Sequence, residues 1–585
     1  MTVTVNDMAL VIGGEAGQGV ESSGEGLALA LARGGLRVFV LFDYHSRIRG
    51  GHNFAQVRIS ERALGSHSEP AQLVLALTAE AVHRHLDQLV PGGGVLYDDR
   101  LPVDAGVLTA REIDAFPLPL LQIAREVGGD EVMANTAALG AFAGVVELDL
   151  APLLSVIEDN FRSKGPAVVE GNRKVLQAAH ALARERYGSG FPWKLQVRPA
   201  GERLVLNGNQ AFGLGALLGG CRFVAGYPMT PASPVLEWMA AHGARYGVVT
   251  KHAEDEIAAA CMIIGAGQAG VRALAPTSGG GFSLMVEALG LAGMNEVPIV
   301  IYEGQRPGPS TGQATRTEQG DLQFLLHASQ GEFPRIVLAP GTIEESFTAG
   351  WRAFNLAERY QCPVLVLSDH YLASSLRDVD AEALDFGAVR IDRGELLTEA
   401  ELDALQGEYK RFALTESGIS PRALPGHPKA VAAPSSDEHD EYGRILEDAD
   451  NRRRMMDKRM RKLQAALGEM EGPIRYGPEQ AELTFIGWGS TYGPLCEAVD
   501  RLNAGGERAN MLHIHDVWPF PAAALEDALA GARTTIAVES NYSGQMADLI
   551  RTATGHHVAR RILKYDGRPL SPEYILAHVE GMHHG

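Results

Sequence analysis

Cysteine is scarce in this chain. Cys221, Cys261, Cys362 and Cys496 are scattered through 585 residues, each in an apolar neighbourhood. No CxxC pair exists, which argues against an iron–sulfur cluster or a zinc site and leads us to expect buried, reduced thiols in a cytoplasmic protein. Positive charge is short as well. The 52 Lys and Arg set against 72 Asp and Glu leave a net charge of −20, which argues against nucleic acid or an anionic membrane surface as partner but does not oppose docking to a basic protein. No uncharged apolar run approaches the roughly 20 residues that span a bilayer. The N-terminal MTVTVNDMAL has no basic region ahead of a long apolar stretch, so no signal peptide is expected.

Glycine, by contrast, is plentiful. Its 67 occurrences imply many tight turns and close backbone approaches. A composition of 45% hydrophobic and 21% charged residues describes an ordinary globular protein, and the length is too great for one core.

Three α/β blocks are legible. The first, residues 1–195, opens with an apolar strand at 8–12, a glycine loop GGEAGQG at 13–19, a helical pattern through Leu31 and a second strand at 38–42. That order is a β–loop–α–β unit. The second block, residues 196–375, alternates helices (208–219, 231–243, 255–269) with apolar strands (248–251, 271–276, 299–302, 336–338, 364–367), the pattern of a parallel sheet covered on both faces. Residues 376–475 break the pattern: 421–436 reads as an extended Pro/Ala/Ser linker, and the charged stretch 440–467 as an exposed amphipathic helix. A third α/β block fills 476–585.

The polar run RPGPSTGQATRTEQGD at 306–321 follows a buried strand and cannot itself pack as core. Such loops at strand ends carry ligand sites in α/β proteins, and arginines there suit a carboxylate or phosphate. A mobile surface loop is the plainer reading. Gly17-x-Gly19-x-x-Ser22, with Asp43 ending the next strand, imitates a dinucleotide fingerprint, although Glu15 and Glu21 oppose an anion there. The loop HSRIRGGHN at 45–53 adds two arginines, so this region is either a nucleotide or CoA site or a structural turn. In GYPMTP at 226–231, Thr230 reads equally well as a helix N-cap. Glu254, Asp255 and Glu256 open a small-residue helix and satisfy its dipole. Because that helix is apolar on nearly all sides, Glu256 is expected to be partly buried, where a carboxyl holds its proton more strongly.

Together, GGEAGQGV (13–20), SRIRGGHN (46–53), GYPMTP (226–231), EDEIAA (254–259), TSGGGFSLMVEALGLAGM (277–294), RPGPSTGQATRTEQGD (306–321) and HDEYGRILED (439–448) resemble the 2-oxoacid:ferredoxin oxidoreductase family. The likeness covers essentially the whole chain and is greatest to the α subunit of the 2-oxoglutarate type with a fused N-terminal γ domain. It implies three α/β domains: a γ domain, a thiamine pyrimidine-binding domain and a transketolase C-terminal-like domain, joined by a linker with a charged helix. It also implies CoA-dependent oxidative decarboxylation of a 2-oxoacid, or its reductive reverse, with thiamine diphosphate.

By that resemblance Glu256 contacts N1′ of the aminopyrimidine. Thr230 and Arg306 bind the substrate, Arg306 through its carboxylate, and Thr315 helps to form the pocket. Gly14, Gly17, Gly19, Arg47 and Arg49 belong to the CoA or domain-contact region. The chain lacks a GDG…N stretch for Mg²⁺ and diphosphate and lacks cluster cysteines. The resemblance therefore implies a β partner carrying Mg²⁺ and a [4Fe–4S] cluster in an (αβ)₂ assembly, ferredoxin as electron acceptor, and no metal on this chain. Pyruvate and branched-chain 2-oxoacids remain alternative substrates. Two other classes stay open: an NAD-dependent dehydrogenase built on the first block, and a scaffold in which Glu256 only caps its helix.

Overall fold

The computed structural model describes residues 3–44 and 51–583. Its contacts divide the chain into two compact units. One comprises Met1–Asn207, Ser374–Ala383 and Ser571–Ala577; the other comprises Gly208–Ala373, Leu384–Leu570 and His578–Gly585.

The first unit is built on an eight-stranded mixed sheet. In spatial order its strands are Asp114–Leu118, Leu89–Asp98, Ala71–Ala76, Met8–Glu15, His52–Ser60, Arg37–Asp43, Leu376–Asp380 and Arg203–Leu206. The expected β–loop–α–β unit forms, with helix Val20–Arg33 between Met8–Glu15 and Arg37–Asp43. The two strands are not neighbours, however. His52–Ser60 lies between them and runs antiparallel to both, so the adjacent parallel pair that a dinucleotide fingerprint requires is not formed. The sheet also recruits a distant segment. Asp378 accepts from Val38 N (2.7 Å) and pairs with Arg37 (3.0 Å), fixing Leu376–Asp380 at the edge of Arg37–Asp43.

The second unit holds two sheets. The larger has the order Val249–His252, Phe223–Gly226, Ala273–Thr277, Ile299–Gln305, Pro363–Asp369, Ile336–Leu338 and Asp516–Trp518; its first six strands are parallel and the last antiparallel. Ala273–Thr277, Ile299–Gln305 and Pro363–Asp369 are buried along their whole length, as strands covered on both faces must be. The smaller sheet has the order Ile474–Tyr476, Ala509–Ile514, Leu483–Trp488, Thr534–Glu539 and Arg560–Leu563. Its first strand is antiparallel to the rest.

Three expectations require correction. The stretch around Pro421 is no free linker: Arg422 is buried and pairs with Glu358 (3.0 Å), and Arg411 donates to Gln361 and to the Glu296 carbonyl. The charged helix, Ala449–Leu467, is not exposed throughout. Lys458, Arg459 and Lys462 are buried, and both lysines converge on the buried Glu296 carboxylate. Their long stems made a polar pattern that conceals an inward face. Of the cysteines, Cys221 and Cys362 are buried, but Cys496 is half-buried and Cys261 is exposed. Cys261 lies on an open stripe of helix Glu256–Gln268 with Ile257 and Gly265, at i, i+4 and i+8. Among the described residues no helix is long and apolar enough to cross a membrane.

Candidate functional site

Four of the motifs leave the C-terminal ends of four adjacent parallel strands. GYPMTP follows Gly226, the EDE triplet follows His252, the glycine-rich SGGG follows Thr277, and the long polar loop follows Gln305. Parallel strands place these ends along one edge of the sheet. Strand order reverses beside Phe223–Gly226, since the next strand in sequence lies on one side of it and the following one on the other. A switch point of this kind opens the crevice in which α/β sheets bind ligands.

Each side chain has a local reason for its place. Asp255, not Glu256, caps its helix, accepting from Ala258 N at 2.8 Å. Glu256 is therefore released from capping. It is only 3% exposed, and its Oε1 is buried without a hydrogen-bond partner. Opposite it stands Gly281, in the first turn of helix Gly279–Met294; a Cβ there would lie 2.7 Å from Glu256 Oε1. Gly279 is equally crowded, by the Asp321 carboxylate. The SGGG run is thus a cradle that side chains would fill.

Thr230 is not an N-cap either. The helix begins at Ser233, its capping position is Ala232, and no side chain caps it. Thr230 is positioned from beneath: Tyr302 Oη donates to Asn209 Oδ1 (2.9 Å), and Asn209 Nδ2 donates to the Pro231 carbonyl (2.8 Å), all three residues buried. Arg306 Nη1 donates to the Thr230 carbonyl (2.8 Å), so the two sequence-predicted substrate contacts are brought together.

Arg306 also lines a cavity of about 400 Å³ with Met229, Gly280, Ser283, Thr311 and Asp321. Glu256 and Thr315 are not in its lining. The cradle links the two places, with Gly281 against Glu256 and Gly279 and Gly280 on the cavity wall. Burial raises the Asp321 carboxyl to about 6. Burial, followed by the neighbouring Asp321, holds the Glu303 carboxyl well above the usual carboxylate range. Neither acid was singled out in the sequence, where both read as ordinary polar residues around the loop.

The loop is anchored along its stem. Gln319 donates through Nε2 to the Trp488 carbonyl (2.9 Å) and through its backbone N–H to the Ser540 carbonyl (2.6 Å), and Gln545 Nε2 donates to Gly320 O (2.6 Å). Trp488 and Ser540 lie at strand ends of the smaller sheet, and Gln545 opens the helix Gln545–Thr554. Only the tip, 308–313, is exposed.

In the first unit a separate cavity of about 320 Å³ is lined by Gly17, Gly19, Ser22 and Asn53 together with three carboxylates, Glu15, Glu21 and Asp43. Gly17 and Gly19 adopt left-handed φ of 90° and 71°, and Gly19 starts the helix. Gly14 is buried and is not in the lining. Arg47 and Arg49 lie outside the described residues.

Against this geometry, three family models match successive parts of the chain. "Pyruvate ferredoxin/flavodoxin oxidoreductase" matches residues 9–182. "Pyruvate flavodoxin/ferredoxin oxidoreductase, thiamine diP-bdg" matches 214–458, and "Pyruvate:ferredoxin oxidoreductase core domain II" matches 481–575. The α subunit of 2-oxoacid:ferredoxin oxidoreductase 1 from Aeropyrum pernix is 35% identical over 98% of this chain and 97% of its own. The chain belongs to the 2-oxoacid:ferredoxin oxidoreductase family, as an α subunit.

Other members are similar at comparable identity. The 2-oxoglutarate synthase subunit KorA of Methanothermobacter marburgensis is 32% identical over 65% of this chain and 99% of its own. The solved 2-oxoglutarate:ferredoxin oxidoreductase of Magnetococcus marinus, described with 2-oxoglutarate, coenzyme A and succinyl-CoA bound, is 33% identical. It superimposes with a TM-score of 0.91 over 98% of this chain and 99% of that one. As in that relative, the three-block α/β architecture expected of the oxidoreductase family spans the chain.

Proposed function

We propose that this α subunit acts in a cytoplasmic heteromer that converts 2-oxoglutarate and CoA to succinyl-CoA with reduction of ferredoxin, or catalyses the reverse. The observation that carries the reading is the buried, unpartnered Oε1 of Glu256 facing a glycine cradle. A carboxyl that neither caps its helix nor finds a protein donor is suited to a ring nitrogen of a cofactor. Thiamine diphosphate, when bound, supplies the nucleophilic carbon that carries decarboxylation. Glu256 would hold the proton at the aminopyrimidine nitrogen, and glycine at 281 lets the neighbouring helix pack against that carboxyl without displacing it. Arg306, fixed by the Thr230 carbonyl, presents its guanidinium to a substrate carboxylate in the adjoining cavity. Thr230 and Thr315 lie outside that cavity's lining and are further substrate contacts only by the family resemblance. The 2-oxoglutarate preference is supported by the names of the KorA relatives and of the Magnetococcus marinus enzyme.

A β partner carrying Mg²⁺, the diphosphate and a [4Fe–4S] cluster would complete the site. The open apolar stripe Ile257–Cys261–Gly265, on the helix that starts at Glu256, is the face such a subunit would cover. CoA would be handled in part by the Gly17–Gly19 region, with Gly14, Arg47 and Arg49 as its further candidates.

The test is reduction of a viologen dye or ferredoxin with 2-oxoglutarate and CoA, by the chain alone and with its partner, in wild type and Glu256→Gln. Activity that requires the partner and falls about 10²–10⁴-fold in the variant is expected. Unchanged turnover in Glu256→Gln would remove the catalytic assignment, and turnover by the chain alone would remove the divided site.

A further inference from the structure

His513 and His515, two residues apart at the end of strand Ala509–Ile514, meet the first turn of helix Ile343–Tyr360. His513 Nε2 lies 3.1 Å from Glu345 Oε2, and His515 Nε2 lies 3.1 Å from Glu471 Oε2. One donor atom each from Glu345, His513 and His515 falls within 4.8 Å of the other two. Donors held about 2.0–2.1 Å from a tetrahedral zinc ion stand roughly 3.3 Å apart, so this set closes around an ion with side-chain shifts of about an ångström.

Three further observations point to a bound cation. The two imidazole side chains are 0% and 11% exposed, and both Nδ1 atoms are buried without a hydrogen-bond partner. Buried imidazole nitrogens are normally satisfied; two orphans side by side mark a place whose polar capacity the protein does not fill. The local charge is negative as well. Glu344, Glu345, Glu471 and Asp516 gather here, and Arg352 is committed to Asp516 through two bonds of 2.7 and 2.6 Å. Finally, a cavity of about 200 Å³, lined by Glu345, Glu471, His515 and Asp516, gives an ion access and leaves room for a water ligand.

We propose that Glu345, His513 and His515 bind one divalent transition-metal ion, zinc before others, with Glu471 at hand as a fourth donor. The absence of a CxxC pair argues against a thiolate site but does not bear on a His₂Glu site. Here the His513-x-His515 pair alone is legible in the sequence, because Glu345 lies 168 residues before His513. Nitrogen and oxygen donors of this kind suit zinc. The ion would tie the end of the smaller sheet to the helix that covers the larger one. It shares no residue with the Glu256–Arg306 region, so it stands whether or not the thiamine reading does.

The test uses the untagged full-length chain with whatever subunit co-purifies, in a His583→Gln/His584→Gln background to remove the C-terminal histidine pair. After chelator treatment, one equivalent of zinc is added and the zinc retained after gel filtration is measured by mass spectrometry. About one zinc per chain is expected, with affinity at least tenfold weaker in both His513→Gln and His515→Gln. Absence of retained zinc, or equal retention in the variants, overturns the proposal. Should the variants fail to fold, X-ray absorption on the zinc-loaded chain decides: outer-shell multiple scattering from two imidazole rings supports the site, and a spectrum without it overturns the proposal.

Discussion

Gly281 faces Glu256 so closely that a Cβ on Gly281 would lie 2.7 Å from the carboxylate oxygen that has no other partner. Replacing Gly281 by Ala must move Glu256 or the Thr277 hydroxyl on the other side. Displacement of a catalytic group by about 1 Å costs on the order of 100-fold in rate. Gly281→Ala in the assembled enzyme should therefore lower kcat for 2-oxoglutarate-dependent dye reduction by about that factor, with circular dichroism unchanged. Full activity in this variant would mean that the exact seat of Glu256 is immaterial to the reaction.

Asp321 makes a pH-dependent contribution of unusual sign. Its carboxyl is raised from 3.8 to about 6 by burial, so the folded chain keeps this proton to higher pH than the unfolded chain does. The contribution is full below 3.8 and is lost as pH rises through about 6. The shift corresponds to about 3 kcal/mol. Asp321→Asn should stabilise the second unit by up to that amount near neutral pH and by little near pH 4, read as the shift in its urea midpoint. The same variant should bind substrate less tightly if the acid helps to orient Arg306. Equal midpoints at neutral pH would show that Asp321 is not held against its charge.

Strands with unbroken apolar runs, such as those beginning at Ile299 and Pro363, were legible because burial on both faces leaves a continuous signal. His52–Ser60 carries the alternation of a strand over AQVRIS, but its GGHN entry reads as a ligand loop and masks that signal. Leu376–Asp380 was also missed, since its place in the sheet rests on Arg37, some 340 residues earlier. The family motifs led to Glu256, Thr230 and Arg306, and the last two do meet. Glu303 and Asp321 escaped notice because nothing in an isolated acidic residue tells that its surroundings are apolar. The inward face of the charged helix escaped for the same reason.

Glu296 accepts from Lys458 at 2.6 and 2.7 Å and also from Lys462, with all three side chains buried. Removing the anion alone leaves two buried ammonium groups without compensation, which costs about 3–5 kcal/mol. Glu296→Gln should therefore lower the denaturation midpoint markedly. Replacing all three residues with methionine should recover most of the loss, because apolar groups of similar volume need no desolvation of charge. If the triple variant were as unstable as the single one, the lysines would be contributing something other than charge pairing.

Gly265 allows the proposed subunit face to be tested away from Glu256. A Cβ at this exposed position meets nothing within 4 Å, and helix propensity favours alanine over glycine by about 1 kcal/mol. Gly265→Ala should therefore fold at least as well as wild type and assemble normally. Gly265→Glu should also fold, since its side chain extends into solvent when the chain is alone. In contact with a partner, however, the carboxylate would be buried without compensation, at a cost of several kcal/mol. Co-expression followed by size-exclusion chromatography should then recover the heteromer with Gly265→Ala and a free α chain with Gly265→Glu. Intact assembly of both variants would move the partner's footprint off the Ile257–Cys261–Gly265 stripe, and dissociation of both would trace the defect to the helix itself.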